Sequence, residues 1–323
     1  MVPMSDEPAD LIRVRLLDDH LESRRRLARA ALAGEQFRVT RGAYVAADVW
    51  QQLASRERYL LRIRAYADVP GRHPVLSHWS AAAIHGLPII GDWPQRPHRT
   101  AGPASGGRSS ANVVRHSALL RDDDVVEVDG FLVTSIARTV LDLAVASDLV
   151  SAVTTADNAL FVAARSGATA RVSREGLLET YAKRMPFRGH RLAMGVIEFA
   201  ETGAQTPIES VSRVNMWRVG APRPTLQQAF YDHLGLIGHA DFDFPAHGMV
   251  GESDGDLKYL DPRFRGGRSA EQVVLDEKKR EDRLRAIGRR VSRWGWATAS
   301  HPEALRRHLE AAGLPLGAPK SGW

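Results

Sequence analysis

Residues 240–244 alternate strictly between apolar and acidic side chains, and this pattern constrains the fold of the chain most strongly. Successive side chains of a β-strand point to opposite faces of the sheet. We therefore expect both phenylalanine rings of the segment, Phe242 and Phe244, to face a core. Asp241 and Asp243 would then share the opposite face, so the pattern predicts a sheet with an acidic surface.

A short bend separates this strand from a second alternating segment, in which Glu252 and Asp254 share one face. Antiparallel pairing of the two strands would bring Asp241 or Asp243 close to Glu252. Two like charges about 4 Å apart cost on the order of 4 kcal/mol at an effective dielectric constant near 20. Carboxylates gathered in this way indicate a bound cation or shared protons.

The chemistry of such a patch follows from its ligand atoms. The chain has no cysteine, which excludes disulfides, cysteine nucleophiles and cysteine-ligated metal sites. A site made only of oxygen ligands favours Mg²⁺ or Mn²⁺. The predicted reaction is phosphodiester hydrolysis, in which a nearby lysine, Lys258, stabilises the charge that develops on the phosphate.

Simpler interpretations remain open from the residues alone. Asp254 and the glycine after it are typical of a turn, and Glu209 completes a capping box that Thr206 begins. Asp241 and Asp243 would also be unremarkable on a solvated sheet face.

Basic residues follow the acidic segments closely. Residues 278–293 contain eight lysines and arginines against Glu281 and Asp282, so this stretch carries +6, which equals the net charge of the whole chain. A basic helix beside an acidic metal site suits a substrate with a phosphate backbone. Alternating charges on an exposed helix are the competing interpretation. The strand that ends this stretch would place Trp294 and Trp296 on one face, where core or sheet packing is favoured over stacking against bases.

The elements after residue 205 predict an α/β domain made of a helix, three strands, a charged helix and a final strand. Thr206, Pro207 and Glu209 predict the start of the first helix. A chain of 323 residues is long enough for two or three domains of roughly 150 residues or fewer. No apolar run approaches the roughly 20 residues of a membrane helix, and the first residues are acidic where a signal peptide is basic. We therefore expect a cytoplasmic protein with no membrane contact.

Residues 1–75 predict a winged-helix-like region that binds DNA. We expect a helix over residues 10–32 and a β wing over residues 37–45. Arg38 and Arg41 lie on this wing, where they are candidates for contact with nucleic acid. A solvated helix face is the alternative for the basic residues of this region.

Residues 76–204 predict a mostly helical connector that contains one β-hairpin. Asp129 and Gly130 favour the type I′ turn of a hairpin, and Ser135 is a suitable N-cap for the helix that follows. Helical patterns in the first two regions cover residues 48–68, 77–86, 149–165, 173–185 and 191–204.

The segments after residue 206 also carry a resemblance. They are Glu209-Ser210-Val211-Ser212-Arg213, Leu226-Gln227, Ala240-Asp241-Phe242, Val250-Gly251-Glu252-Ser253-Asp254-Gly255 and Glu277-Lys278-Lys279-Arg280-Glu281-Asp282. Together they resemble the very-short-patch-repair-like branch of PD-(D/E)XK endonuclease domains. The resemblance implies that Glu209, Asp241 and Glu252 are metal-site acids and that Gln227 lies on a strand facing them. Asp254 stands where the family pattern has lysine.

Three explanations of that departure stay open. Lys258 or Lys278 replaces the lysine from another backbone position, Asp254 itself binds the metal, or the chain has lost hydrolysis and kept DNA binding.

A second resemblance covers the front half, on residues 38–45, 80–88 and 134–143. These segments are similar to AbiEi-type antitoxin-like proteins of type IV toxin–antitoxin systems. The resemblance implies a winged helix-turn-helix that binds operator DNA, an adaptor domain, and a cognate toxin as a candidate partner.

The complete prediction is a multidomain α/β protein. Its regions are 1–75, winged-helix-like; 76–204, the connector; 205–300, a restriction-endonuclease-like domain with a central mixed sheet; and 301–323, a C-terminal helix and tail. The predicted catalytic residues are Glu209, Asp241, Glu252 and Lys258, and the predicted ligands of Mg²⁺ or Mn²⁺ are Asp241, Glu252 and Asp254. The predicted DNA contacts are Gln227, Lys278, Lys279, Arg280, Arg283, Arg38 and Arg41. A catalytically inactive regulator or antitoxin is the main alternative function, and a protein-interaction adaptor is the third.

Overall fold

The computed structural model of this chain describes residues 11–17, 20–67, 73–105, 108–161, 170–253 and 270–320. The chain divides into two units. The first unit contains Met1–Ala146 and Glu175–Met185, and the second contains Ser147–Arg174 and Pro186–Trp323. Each unit combines helices with β-sheets, which confirms the predicted α/β class.

The described strands, numbered in chain order, are β1 (Ile12–Arg13), β2 (Gln36–Thr40), β3 (Ala43–Ala46), β4 (Val75–Leu76), β5 (His98–Ala101), β6 (Val114–Ser117), β7 (Val125–Val128), β8 (Phe131–Thr134), β9 (Thr225–Asp232), β10 (Gly235–Phe244), β11 (Met249–Ser253) and β12 (Arg290–Trp294). The described helices are α1 (His20–Leu32), α2 (Ala47–Gln52), α3 (Ser55–Ala67), α4 (Trp79–His85), α5 (Ile136–Ala146), α6 (Leu149–Leu160), α7 (Arg174–Arg184), α8 (His190–Phe199), α9 (Pro207–Arg218), α10 (Ala270–Ala286), α11 (Trp296–Ala299) and α12 (Pro302–Ala311). None of these helices has both the length and the apolar character that a bilayer span requires.

The first unit begins with a small antiparallel sheet in the order β1-β3-β2. Strands β2 and β3 meet at a turn over residues 41–42, as the sequence predicts for the wing, and Gly42 adopts a positive φ of 79° there. Phe37 of β2 stacks on Trp50 of α2 with ring centroids 4.0 Å apart, so the wing packs against the following helix.

Two helices of this region differ from the prediction. The helix expected over residues 10–32 begins only at His20, because the chain before it pairs with β3 as the strand β1. The single helix expected over residues 48–68 is divided into α2 and α3. The carboxylate of Glu57 accepts a hydrogen bond from the backbone N–H of Ala54 at 2.7 Å, which caps α3 as a separate helix.

The first unit also contains a five-stranded mixed sheet, in the order β6-β5-β4-β8-β7. The predicted hairpin is present as β7 and β8, and Asp129 and Gly130 both have positive φ, as a type I′ turn requires. The sequence analysis expects only this hairpin in the connector, whereas β4, β5 and β6 add three more strands. These strands are two to four residues long, too short for a hydrophobic period to be evident.

The core of the first unit lies between this sheet and the helices α3 and α4. Tyr59, Ile63, Leu76, Ala81 and Val133 are fully buried there. The predicted cap of α5 is confirmed, because the Ser135 hydroxyl accepts the backbone N–H of Arg138 at 3.3 Å.

The second unit contains a four-stranded mixed sheet in the order β12-β11-β10-β9. Strands β9, β10 and β11 form an antiparallel meander, and α10 leads to β12, which pairs with β11 in parallel. This is the order of elements that the sequence predicts for residues 205–300.

Aromatic packing fixes one face of this sheet against α9. Phe242 stacks on Trp294 with centroids 5.5 Å apart, and Trp294 Nε1 donates to Ser212 Oγ on α9 at 2.9 Å. Gly251 lies beneath the Trp294 ring, and a Cβ at this position would stand only 2.4 Å from it. The prediction that Phe242 faces a core is confirmed, and the opposite face of the sheet is left for the acidic residues.

Of the two tryptophans at the end of this sheet, only Trp294 packs as predicted. Trp294 is buried on β12, but Trp296 starts α11 and is 43% exposed. Gly295 ends the strand between them, so the period-two pattern does not continue to Trp296.

Candidate functional site

Asp241 and Glu252 occupy neighbouring positions on the face of the sheet that α10 covers. The register pairs Phe242 with Gly251 in antiparallel strands, which places Asp241 beside Glu252. Asp241, Asp243 and Glu252 are only 9%, 4% and 7% exposed. The interpretation that these acids lie on a solvated face is therefore wrong, and each carboxylate needs a compensating partner.

Hydrogen bonds fix the orientation of the Asp241 carboxylate. Its Oδ2 accepts the backbone N–H and the hydroxyl of Ser253, each at 2.9 Å. Its Oδ1 accepts the Gln227 side-chain amide at 3.2 Å. Asp241 is thus held between its two neighbouring strands, β11 and β9.

Gln227 also connects the strand acid to the helix acid. Its Nε2 lies 3.2 Å from Asp241 and 3.4 Å from Glu209 Oε2. Gln227 has a φ of +51°, which is unusual for a residue other than glycine and is held only where surrounding contacts determine it. The family resemblance implies that Gln227 lies on a strand facing the three acids, and in the structure its side chain contacts two of them, Glu209 and Asp241.

Glu209 does not act as the capping box predicts. The Thr206 hydroxyl donates to Glu209 Oε1 at 2.8 Å instead of accepting a backbone N–H of the helix, and the backbone N–H of Gln205 donates to Oε2 at 2.9 Å. The Pro207 prediction is confirmed, since it is the first residue of α9. Glu209 is therefore a buried carboxylate beside the sheet, and we name Glu209, Asp241 and Glu252 the acidic site.

Glu252 is the least compensated member of the acidic site. Arg280 Nη2 lies 3.0 Å from its Oε1, but this oxygen receives no hydrogen bond from the described residues. Burial raises the pKa of Glu252 to about 7; the charge of Arg280 opposes this shift, and the charge of Asp241 adds to it. The ionised form of Glu252 is therefore unfavourable unless a second cation binds beside the carboxylate.

The predicted basic surface divides into paired and open residues. Arg280 and Arg283 form ion pairs with carboxylates of the second unit, Arg283 with Asp232 at 2.6 Å. The side chains of Lys278 and Lys279 are exposed on α10. Three further arginines of the stretch also pair with acids: Arg285 with Glu281 at 2.5 Å, Arg289 with Asp243 at 3.4 Å and Arg293 with Glu281 at 3.1 Å.

The carboxylates of Asp241 and Glu252 fit a divalent cation. One buried oxygen of Glu252 lacks a hydrogen bond, and a second carboxylate lies beside it on the sheet. Mg²⁺ is usually bound by one or two carboxylates, while water and phosphate oxygens complete its shell. Within the described ranges, no group of three or more acidic or histidine side chains is arranged to hold a metal ion. Asp254 and Lys258, the other predicted members of the site, lie outside the described residues.

The predicted contacts of the first unit are on its surface. Arg38 on β2 and Arg41 in the turn after it are both exposed. Their position on a hairpin agrees with the predicted wing, and whether they bind DNA stays a prediction.

A second polar cluster, in the first unit, was not found by sequence reasoning. His78 and His116 stack with ring centroids 3.5 Å apart, and His98 Nδ1 lies 2.9 Å from His116 Nε2. His78 Nδ1 is 3.8 Å from Asp142 Oδ2. We name these four residues the histidine cluster. They lie on three strands or loops and one helix with no regular spacing, so no local pattern in the sequence indicates them.

Burial keeps the imidazoles of the histidine cluster uncharged. It lowers the pKa of His78 to about 4, against the opposing charge of Asp142, and the pKa of His98 to about 3. Asp142 contacts two guanidinium groups, those of Arg138 at 3.1 Å and Arg184 at 2.8 Å. The charges of Asp142 and the two arginines therefore compensate each other inside the first unit.

A comparison with protein-family models and with curated protein sequences finds no match to this chain.

Proposed function

We propose that this chain is a DNA-binding protein whose second unit hydrolyses phosphodiester bonds with a divalent metal ion. The observation that carries the proposal is the placement of Asp241 and Glu252 side by side in a buried position, with Gln227 connecting Asp241 to Glu209. Buried like charges are costly unless a cation compensates them. The order of helix, meander, helix and parallel strand further supports the resemblance to PD-(D/E)XK endonuclease domains.

The residues of the second unit have distinct roles in this proposal. Asp241 and Glu252 hold Mg²⁺ or Mn²⁺, and Ser253 and Gln227 keep the Asp241 carboxylate oriented. The bound ion would activate a water molecule and neutralise charge on the scissile phosphate. Lys258 is proposed to stabilise the developing phosphate charge.

Exposed cations are proposed to hold the DNA backbone. In the second unit they are Lys278 and Lys279 on α10, and in the first unit Arg38 and Arg41 on the wing. Contacts between such side chains and phosphates give an affinity that falls steeply with salt.

A second candidate function is a regulator or antitoxin that binds DNA without cutting it, with a cognate toxin as a partner. The contact between Arg280 and Glu252 favours it, because a guanidinium already supplies positive charge where a metal ion would bind. This candidate predicts sequence-specific binding to DNA that Glu252→Gln leaves unchanged.

Nicking of supercoiled plasmid by the purified chain tests the first proposal. We expect cleavage with Mg²⁺ or Mn²⁺ and at least a hundredfold loss in Asp241→Asn and Glu252→Gln, because removing a single catalytic electrostatic group costs about 10²–10³ in rate. Binding of a DNA duplex at low salt should change less than twofold. Glu310→Gln, an exposed acid of the same unit, is the matched control. Absence of cleavage by the wild-type chain in both metals would refute hydrolysis and leave the regulator.

A further inference from the structure

Arg280 occupies a fixed position between two carboxylates of the second unit. Its Nη2 lies 3.0 Å from Glu252 Oε1 and donates to Glu277 Oε1 at 2.6 Å. Its Nε also donates to Glu277, at 3.0 Å, and its Nη1 donates to the His239 carbonyl at 3.3 Å. The guanidinium thus has a hydrogen-bonded partner in Glu277 and an ionic contact in Glu252.

The backbone of β10 makes room for this side chain. Gly238 has a φ of 153°, and a Cβ there would lie 3.2 Å from Arg280 Cδ. The aliphatic part of Arg280 therefore lies against bare backbone, which brings its guanidinium to the acidic site. A larger residue at position 238 would push the arginine away from Glu252.

The two contacts of Arg280 are unequal. Glu277 receives three hydrogen bonds from the guanidinium, at 2.6 to 3.2 Å, whereas Glu252 Oε1 lies 3.0 Å from Nη2 alone. Arg280 would therefore keep its hydrogen-bonded partner if Glu252 turned toward another cation. A guanidinium and a divalent ion cannot both occupy the space next to one carboxylate oxygen without strong repulsion.

We propose that Arg280 is the resident counter-cation of Glu252, and that a divalent metal ion binds the acidic site only in competition with it. This inference rests on the proposed function, because it concerns the same pair of carboxylates. In the metal-free protein Arg280 compensates the buried charge of Glu252. When the ion binds, Arg280 retains Glu277 and releases Glu252.

Arg283 provides a matched control on the same helix. It makes two hydrogen bonds to Asp232, at 2.7 and 2.6 Å, and none to the acidic site. Arg283→Gln therefore removes the same charge from the same element without changing the surroundings of Glu252.

Calorimetric titration of the full chain with Mn²⁺ in the absence of DNA tests the competition. We expect Arg280→Gln to bind Mn²⁺ at least tenfold more tightly than the wild type and Arg283→Gln to bind within twofold of it. The double variant Arg280→Gln/Glu252→Gln should lose the gain. Equal or weaker binding by Arg280→Gln would overturn the proposal, and so would the absence of Mn²⁺ binding in every variant.

Glu277→Gln gives a second measurement that does not require loss of Arg280. Without the charge of Glu277, Arg280 is attracted more strongly to Glu252, so Mn²⁺ should bind severalfold more weakly. An increase in affinity would contradict the competition. Circular dichroism of each variant reports whether the chain is folded.

The outcomes separate this inference from the proposed function. If the wild type cuts DNA and Arg280→Gln shows no gain in Mn²⁺ affinity, the competition is refuted and hydrolysis stands. If Arg280→Gln gains affinity and no variant cuts DNA, the competition stands and the hydrolytic function fails.

Discussion

The histidine cluster of the first unit and the acidic site of the second unit are built around similar backbone features. A residue other than glycine with positive φ lies within or against each of them: His78, at 52°, belongs to the histidine cluster, and Gln227, at 51°, contacts the acidic site. Such conformations cost about 1–3 kcal/mol and persist where the surrounding structure determines them. Both residues also contact a buried carboxylate, Asp142 in the first unit and Asp241 in the second.

The two regions differ in how their buried carboxylates are compensated. Burial opposes ionisation of Asp142, but the histidine and the two arginines around it hold its pKa below the usual value. Burial raises the pKa of Glu252 instead, and the charge of Asp241 adds to the rise, because the charges of Arg280 and Arg293 offset burial only in part. We therefore expect the histidine cluster to contribute to stability and the incompletely compensated acidic site to cost stability, as the proposed function would require.

The largest expected effect is that of Asp142→Asn. This change leaves Arg138 and Arg184 without their shared carboxylate, and breaking a buried ion pair costs about 3–5 kcal/mol. Hydrogen exchange measured by mass spectrometry should show faster exchange in α5 and the neighbouring strands of the first unit. Glu127→Gln, at an exposed position of the same unit, serves as the control. Unchanged exchange in α5 would show that the histidine cluster does not stabilise the first unit, which contradicts the distinction drawn between the two regions.

Acidification should lower the free energy of unfolding of the first unit by a comparable amount. The pKa of His78 in the folded chain, about 4, lies below the ordinary value of 6.5, so the unfolded chain binds the proton first. The stabilisation is complete above pH 6.5 and is lost as the pH falls toward 4. At 1.36 kcal/mol per pKa unit, His78 alone accounts for about 3 kcal/mol. His98, with a pKa of about 3, adds to this loss in the same direction.

The groups around His78 explain the direction of this effect. Burial is the main cause of the lowered pKa of His78; the charges of His116, Arg184 and Arg138 add to it, and the charge of Asp142 opposes it. Hydrogen exchange at pH 7.5 and 4.5, corrected for intrinsic rates, measures the change in each unit. In the second unit, burial raises the pKa of Asp157, so the folded chain takes up this proton before the unfolded chain does. Acidification therefore acts on Asp157 in the opposite direction, and the second unit serves as an internal control. Equal protection of the first unit at both pH values would contradict the prediction.

The smallest expected effect is a gain in stability from Glu252→Gln. At pH 8 a neutral side chain avoids the cost of a buried, incompletely compensated carboxylate, and we expect the second unit to be more stable by about 1 kcal/mol. Chemical denaturation, monitored by hydrogen exchange in β10 and β11, measures the change in the free energy of unfolding. Asp232→Asn should have the opposite sign, because Arg283 hydrogen-bonds that carboxylate and lowers its pKa. A loss of stability in Glu252→Gln would show that both clusters are structural.

Much of the second unit was predictable from local patterns. The alternation around Phe242 and the helix start at Pro207 are local features, and each appears in the structure. The strand register follows from the same alternation, because a shift by one residue would bury the acids against Trp294. The position of Gln227 came from the family resemblance.

Other features required the complete structure. The sequence placed Arg280 among the cations that face DNA, and only its packing against Gly238 shows that it lies on Glu252. The histidine cluster joins residues separated by up to 64 positions, from His78 to Asp142, and involves strands too short to carry a period. Trp296 lies outside the strand predicted for it, because β12 ends at Trp294 and a short helix begins at Trp296.

The sequence by itself determined which side chains share a face, because the period of a strand or helix is a property of the local backbone. It thereby placed Asp241 and Glu252 on one surface and the aromatic residues on the other. Only the tertiary structure decided which charges compensate each other. Burial and distance set the strength of an ion pair, and both depend on how helix α10 packs on the sheet.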